Sequence, residues 1–532
     1  MFLDKQIPKG VNMKKLITAS LVAAVALSSA NATSLSDKLA KLEAEIATLK
    51  KQVKRQNKKI NTVKAHDSGD NIKWSADLRT AIDNINYDMA NDSSRGKNDL
   101  MSTRLWLNMA YAPDSHNVFK GQLAFNKAFG ADLGNNSGRP RGFGMDTFDW
   151  ITNEALTGDT LKVRQAYWLY LGEKAFGMDM PWTFSVGRRP STNGFLANLR
   201  DDDPAQSPLG HIINVEFDGL SSKLDLSNVT GVPGMSFKVC MGQGSTNAAP
   251  IFSRFDSTSY SNEGEQLEDV KLAGFIFEPY NDGQFIVKTT AFRAFSLPGY
   301  SSTEFGAAMG AAQQLGGPIP DTILRGTYSY DTGGNPQGYI PAMSTVGDMD
   351  GAAISILIDG LTDDGYFADA KVFGSLAWSK TRPDTRLDAG GQPNTMLGST
   401  DSETGSSYWL GVQLPVTEKG KFGLEYNHGS KYWRSFTYGE DTMIGSKLAA
   451  RGDAIEAYFT YQLTDALSAQ LRYTKIDYDY TGSNGFFGRG GTPMKISDVK
   501  KGAAMGDPQA QAMLPFIVES AQDARFYLRY RF

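Results

Sequence analysis

A single cysteine, Cys240, stands in a chain of 532 residues, so no disulfide can form within the molecule. Its distance from the N-terminus excludes lipid attachment at a mature N-terminal cysteine, and in its apolar stretch it reads as a small packing residue. There are four histidines, and none pairs with another at a spacing that serves a metal or a catalytic base. G-x-S-x-G, H-E-x-x-H and C-x-x-C-H are absent, and we expect no enzymatic activity. A formal net charge of -4 gives no reason to expect nucleic acid as a partner. Beyond residue 32 no apolar run approaches the length of a membrane-spanning helix. With a mean hydropathy of -0.34, the chain also lacks the apolar content of about three soluble cores, which its length would otherwise suggest.

Glycine, with 55 residues, and aromatics, at 11%, are abundant by contrast. A transmembrane β-barrel has this composition, because only alternate residues of each strand meet lipid. Lys14 and Lys15 precede an apolar stretch, Leu16 to Leu27, followed by Ser28-Ser29-Ala30-Asn31-Ala32. A cationic start, a short apolar middle and a small-x-small end make a secretory signal peptide over 1–32, cleaved after Ala32. Residues 1–12 do not fit that pattern, and Met13 reads as the start.

From Leu35 the apolar positions Leu39, Leu42, Ile46, Leu49, Val53, Ile60 and Val63 follow at spacings of four and three, with polar Gln56 in the same seam. This predicts a coiled coil over 33–65, capped by Ser34 or Ser36 and useful only if chains associate as a homo-oligomer. The seam leaves dimer and trimer both open. Lys50, Lys51, Lys54, Arg55, Lys58, Lys59 and Lys64 make its second half basic, which suits a solvated face or contact with anionic cell-wall polymer.

From 72 to 532 we read sixteen alternating segments: 72–87, 100–111, 118–128, 161–171, 181–189, 211–227, 235–241, 268–279, 285–295, 351–359, 366–378, 407–415, 420–432, 453–463, 467–478 and 524–532. Short linkers carrying turn residues, such as 112–116 and 464–466, alternate with mostly long ones, such as 129–160, 296–350 and 479–523. A transmembrane barrel sorts its connections this way, with short periplasmic turns and long external loops. The expected fold is all-β, an antiparallel barrel of about sixteen strands behind an α-helical coiled coil, in the outer membrane with its helix in the periplasm. In the last segment Phe526, Leu528, Tyr530 and Phe532 alternate with Arg525, Tyr527, Arg529 and Arg531. It resembles the closing strand of outer-membrane barrels, whose terminal aromatic, here Phe532, engages the assembly machinery.

Alternation assigns faces. Leu105, Leu107, Phe119, Leu123, Phe125, Leu471 and Tyr473 are expected toward lipid. Lys73, Arg79, Arg104, Lys120, Lys162, Arg164, Arg472, Arg525 and Arg529 are expected inside, against Asp77, Glu425 and Glu456. Such a wall favours anions unless acidic loop residues, for example Asp146 and Asp149, fold in to neutralise it. Trp74, Tyr87, Tyr167, Trp378, Tyr408, Tyr432, Trp433, Tyr458, Tyr461, Tyr478 and Tyr480 suit interfacial girdles. Loop 129–160 is a candidate constriction and loop 296–350 a candidate cap or plug; a surface role for either stays open. Asp201, Asp202 and Asp203 are oxygen ligands for a loop-bound Ca²⁺, or simply a solvated acidic run. No other cofactor is expected.

Three stretches, 163–172 (VRQAYWLYLG), 186–194 (VGRRPSTNG) and 207–219 (SPLGHIINVEFDG), resemble a porin-like outer-membrane family carried as domain-of-unknown-function family 3373. The signal, the coiled coil and the terminal aromatic extend the likeness along most of the chain. The resemblance implies fold and location but no cargo. The leading expectation is a porin-like channel for passive diffusion of small hydrophilic solutes, with anions favoured. The alternatives are a plugged barrel that anchors the outer membrane to the cell wall, or a sleeve around a partner protein.

Overall fold

The computed structural model describes residues 72–129, 161–189, 192–245, 268–299, 327–330, 336–340, 344–362, 364–384, 396–437, 442–483 and 492–532. All belong to the second of two compact units, Ser68–Phe532. The expected signal peptide, the coiled coil, loop residues 130–160 with Asp146 and Asp149, and most of 300–343 lie outside the described residues.

Sixteen strands close one antiparallel barrel, each paired with its neighbour in the chain and the last with the first. They are β1 Lys73–Met89, β2 Ser94–Tyr111, β3 Asn117–Ala128, β4 Lys162–Gly172, β5 Trp182–Arg189, β6 Phe217–Asp225, β7 Ser236–Ser245, β8 Val270–Asn281, β9 Phe285–Gly299, β10 Ser344–Asp359, β11 Lys371–Pro383, β12 Thr404–Thr417, β13 Gly420–Gly429, β14 Gly452–Gln462, β15 Leu467–Tyr478 and β16 Val518–Arg531. Closure leaves no open edge, the condition that lipid imposes on a spanning sheet. At the seam Leu78 faces Tyr530, and Phe532 exchanges backbone hydrogen bonds with Ala76.

The short turns form for local reasons. Asp114 Oδ1 accepts from the backbone N–H groups of His116 and Asn117, both at 2.7 Å. Asp282 Oδ1 does the same for Gln284 and Phe285, at 2.9 and 2.7 Å. In each case a short carboxylate replaces the backbone partners that the reversing chain gives up.

Every expected segment contains a wall strand, and the corrections concern extent. Residues 90–93 between β1 and β2 form a tight turn where a long loop was expected. The loop expected at 296–350 gives up 296–299 to β9 and 344–350 to β10. Residues 366–369, read as strand, are a single 3-10 turn. The sixth strand starts at Phe217, and residues 211–216, read as its beginning, leave the wall altogether.

The two faces divide as alternation requires. Leu78, Val163, Leu471, Phe526, Leu528 and Tyr530 are exposed on the outer surface, while Asp77, Arg79, Trp106, Gln470, Arg472, Tyr527 and Arg529 are buried inside. Trp74, Trp378, Tyr408 and Tyr461 are exposed, as girdle residues should be. Tyr167, Trp433, Tyr458 and Tyr478, expected in the same girdles, are buried instead. Tyr458 lies on the inner register of β14, where its ring covers the bare backbone of Gly423. The exposure of Leu471, 61% and central in β15, makes a direct test of the lipid face. Leu471→Arg should lower the stability of the vesicle-embedded barrel by about 2–4 kcal/mol in urea titrations, while Leu471→Phe leaves it nearly unchanged.

Candidate functional site: the lumen

The chain between β5 and β6 does not stay outside. Residues 192–216 turn into the barrel as a narrow-necked hairpin. At the neck the Asn193 N–H donates to Asn214 Oδ1 at 3.2 Å. Below it Gly194–Phe195 pairs in parallel with Gln206–Leu209, and a 3-10 turn, Ala197–Leu199, leads to Arg200 and the aspartates.

The insert has two faces, each matched by the wall. Leu209, Ile212, Ile213 and Val215 pack on Val270, Phe292, Ala294, Met349, Ala353 and Ala377 of β8–β11, so this part of the bore is an apolar core. Burial of that surface drives docking, since each large aliphatic side chain removed from water contributes about 1.5–3 kcal/mol. The acidic tip meets the opposite side. Tyr527 Oη donates to Asp201 Oδ1 at 2.9 Å. Arg529 donates to Asp77 at 2.9 and 3.0 Å, to the Asp201 carbonyl at 2.9 Å and to Asp203 at 2.8 Å. Arg531 reaches Asp203 at 3.2 Å, and Lys421 on β13 reaches Asp202 at 2.7 Å.

Residues 430–437 and 442–451, after β13, also turn inward. The expected thirteenth strand ends at Gly429, and Trp433 and Phe436 behind it are buried. Their backbone fits because β12 carries Gly405 there; a Cβ at that position would lie 2.4 Å from Trp433 N. Phe436 exchanges backbone hydrogen bonds with Ile212 and Asn214, joining the two inserts. Lys447 from 442–451 pairs with Glu425 at 2.6 Å and with Glu456, which also meets Arg200 at 3.3 Å and Thr474 at 2.7 Å.

The six arginines expected inside occupy the inner face, and the structure adds their counter-charges. Arg164 pairs with Glu216 at 3.0 Å, Arg525 with Asp83 at 2.5 Å and Arg529 with Asp77 and Asp203. Arg104 lies 3.5 Å over the Trp106 ring and 3.8 Å from Asp77. Arg79 faces the Tyr527 ring at 5.5 Å, and Arg472 lies buried in the field of Glu456 and Asp523. Lys73 and Lys120 are exposed and Lys162 is half-buried. The arginines therefore build a neutralised scaffold for the insert. Asp201, Asp202 and Asp203 turn to different partners, which is not the shared cage of oxygens that Ca²⁺ takes. Among the described residues no group of three metal-ligating side chains is placed to hold an ion.

A different cationic group faces the lumen from β5–β9. Lys223 and Lys238 stand directly opposite each other across β6 and β7, with Arg189 and Lys288 nearby. Glu278, 3.6 Å from Lys288, is the one carboxylate paired within this group among the described residues. Sequence reading missed these four; their signal was inward parity on β5, β6, β7 and β9, with Glu278 on β8 the acid that faces Lys288.

His211 is fully buried between Ser375 Oγ at 2.8 Å and Ser407 Oγ at 2.9 Å, and Ser375 continues to Ser355 at 2.8 Å. Burial pushes its pKa down from 6.5 to about 3. The folded protein thus binds fewer protons here than the unfolded chain between those values, so the contribution of His211 is complete above pH 6.5 and is lost toward pH 3. His211→Gln should cost about 1–3 kcal/mol at neutral pH. The gap between variant and wild type in urea midpoints should narrow steadily as pH falls through that window.

A closed wall with an apolar exterior and an ionic interior, constricted by its own chain, defines a transmembrane β-barrel of the porin-like kind. The chain belongs to the family described as protein of unknown function (DUF3373), whose model matches residues 94–532. None of the curated proteins is similar to it in sequence. Among solved structures it is similar to an anion-selective porin from Comamonas acidovorans, at 11% identity over 87% of this chain and 99% of that one, with a TM-score of 0.44. It is also similar to Salmonella typhi OmpF in complex with daunomycin, at 11% identity over 88% and 99%, with a TM-score of 0.41. A third likeness is to OmpT, an outer membrane protein of Vibrio cholerae, at 12% identity over 87% and 97%, with a TM-score of 0.38.

Proposed function

We propose that the protein is a constricted outer-membrane channel that passes small hydrophilic solutes, anions ahead of cations. The observation that carries this reading is the insert 192–216, which enters the bore and leaves polar space beside its acidic tip. Beside its acidic tip lie two polar cavities. One, of about 590 Å³, is lined by Asp202, Lys371, Gln413 and Lys421. The other, of about 510 Å³, is lined by Asp77, Asn108, Arg164 and Arg531. A sixteen-stranded wall encloses an aqueous lumen by its circumference alone, so a partial insert sets conductance by what it leaves open. Anion preference rests on Arg189, Lys223, Lys238 and Lys288, because the buried arginines are offset by carboxylates.

In the same reading the coiled coil at 33–65 lies in the periplasm and joins chains, and its basic half meets cell-wall polymer. A second reading, the plugged anchor, is favoured by the apolar packing of Leu209, Ile212 and Ile213 on the wall. The insert occupies the bore that a sleeve would leave for a partner. Single-channel recording of the refolded full-length chain in planar bilayers, with reversal potential under a salt gradient, separates these readings. Small, steady, anion-preferring steps are expected. Cation preference would overturn the charge assignment, and silence from a verified folded barrel would leave the plugged anchor.

A further inference from the structure

Between the insert and the inner face of β1–β4 and β16 lies the polar chamber of about 510 Å³, at the end of the wall that carries the short turns. That volume falls within the roughly 300–1,000 Å³ of small-molecule sites. Four side chains of its lining form a row across four strands. Ser75 of β1 stands opposite Asn108 of β2, Asn108 opposite Gln122 of β3, and Gln122 opposite Gln165 of β4. Gln165 joins the row because the register slips between Gln122 and Leu123, and the extra residue on β4 turns Arg164 and Gln165 inward together.

A chain of hydrogen bonds holds the row in one orientation. Arg164 donates to Gln122 Oε1 at 2.6 Å, Gln122 Nε2 to Asn108 Oδ1 at 2.6 Å, and Asn108 Nδ2 to Ser75 Oγ at 3.1 Å. The insert adds Asn193 and Gln206 to the lining, and the Gln206 N–H donates to the Asn193 carbonyl at 3.0 Å. Among the described residues the side-chain amides of Gln165 and Gln206 have no protein partner, so both are open to an occupant. The charges of the lining are already matched: Arg164 to Glu216, Arg529 to Asp77 and Asp203, and Arg531 to Asp203. An inorganic ion therefore finds no charge in excess. Hydrocarbon finds little surface either, since the Trp106 ring is 4% exposed, with Arg104 and Arg164 over it at 3.5 and 4.3 Å. A side-chain amide offers two donors and an accepting oxygen, and a hydroxyl donates and accepts at one atom. A solute bearing several hydroxyls can therefore use both halves of every amide, whereas one that only accepts uses half.

We propose that this chamber binds a neutral, polyhydroxylated solute of the size of a mono- or disaccharide, its hydroxyls exchanging hydrogen bonds with Asn108, Gln122, Gln165 and Gln206. This names a solute class for the channel and rests on that reading for passage. Occupancy of the chamber needs no through-path, so the two fail separately.

Refolded full-length protein in nanodiscs is dialysed to equilibrium against radiolabelled sucrose, with empty nanodiscs as background. Unlabelled sucrose, tetraethylene glycol dimethyl ether and lactobionate serve as competitors. Sucrose is expected to bind saturably. The ether, which accepts hydrogen bonds and donates none, should compete about tenfold or more weakly, and lactobionate, a disaccharide acid, no better than sucrose. Gln165→Leu combined with Gln206→Leu should weaken sucrose about tenfold, and neither change removes a side-chain hydrogen bond within the described residues. The proposal fails if the folded wild-type barrel shows no saturable sucrose binding, a result that does not depend on any variant folding. It also fails if the ether competes as well as sucrose, if lactobionate competes better, or if the folded double variant binds like wild type. In planar bilayers, sucrose should reduce the current over the concentrations at which it binds. A current that saturating sucrose leaves unchanged would overturn the solute class, whereas silence would remove the channel reading and leave the binding result to decide.

Discussion

Arg529→Met should loosen the tip of the insert and make residues 196–206 cleavable in the embedded barrel. Arg529 is 2% exposed and joins three parts of the molecule: Asp77 of β1, Asp203 at the tip and the Asp201 carbonyl between them. Breaking a buried ion pair by removing one partner costs about 3–5 kcal/mol, mostly because the other charge is left without its compensation. Arg531 stays on Asp203 and Arg104 stays near Asp77, so the lower end applies. That corresponds to roughly a hundredfold rise in the undocked fraction. Limited proteolysis of vesicle-embedded protein, with fragments sized by mass spectrometry, should show cuts in this stretch in the variant and protection in wild type. Adding Asp77→Asn should recover part of the protection, because the pair then disappears together. Equal protection in wild type and Arg529→Met would mean that apolar packing alone holds the insert and that the ionic side is incidental.

The same residue marks the limit of what the sequence made legible. Alternation in the last strand placed Arg525 and Arg529 inside, and alternation in the first placed Asp77 inside, but nothing local pairs residues 452 positions apart. That pairing follows from closure, which sets Arg529 beside Arg79 and brings Asp77 within reach. The wall itself was readable because each strand repeats one constraint, lipid on one side and polar groups on the other. The inserts obey no such repeat. Residues 208–217 are buried on every side, so Ile213, Val215 and Phe217 alternating with Asn214 and Glu216 imitate a wall strand while serving a core. The stretch 430–437 misled in the same way, since Tyr432 and Trp433 look like a girdle and Trp433 is interior. Charge told more than hydropathy here. The aspartates at 201–203 stood out in sequence as an unexplained cluster, and their explanation is a set of cations on β13 and β16 that only the closed barrel assembles.

Excising residues 194–213 and joining Asn193 to Asn214 through a short glycine linker should raise single-channel conductance several-fold and shift the reversal potential further toward anions. The join is geometrically mild, because the Asn193 N–H already donates to Asn214 Oδ1 at 3.2 Å. The excised stretch carries Asp201, Asp202, Asp203 and Arg200, so it takes more negative than positive charge out of the lumen. Arg529, Arg531 and Lys421 lose their acidic partners at the tip and turn to permeating ions, whereas Arg164 keeps Glu216. Val270, Phe292 and Met349 lose their apolar cover and become wet, which lowers stability. It does not open the wall, because the closed ladder of backbone hydrogen bonds is untouched. The two readouts constrain each other. Higher conductance with unchanged selectivity would mean that the tip narrows the path without setting its charge. Unchanged conductance and selectivity in a variant that still folds as a barrel would mean that ions do not pass the insert at all, and the constricted-channel reading would then give way to a plugged wall.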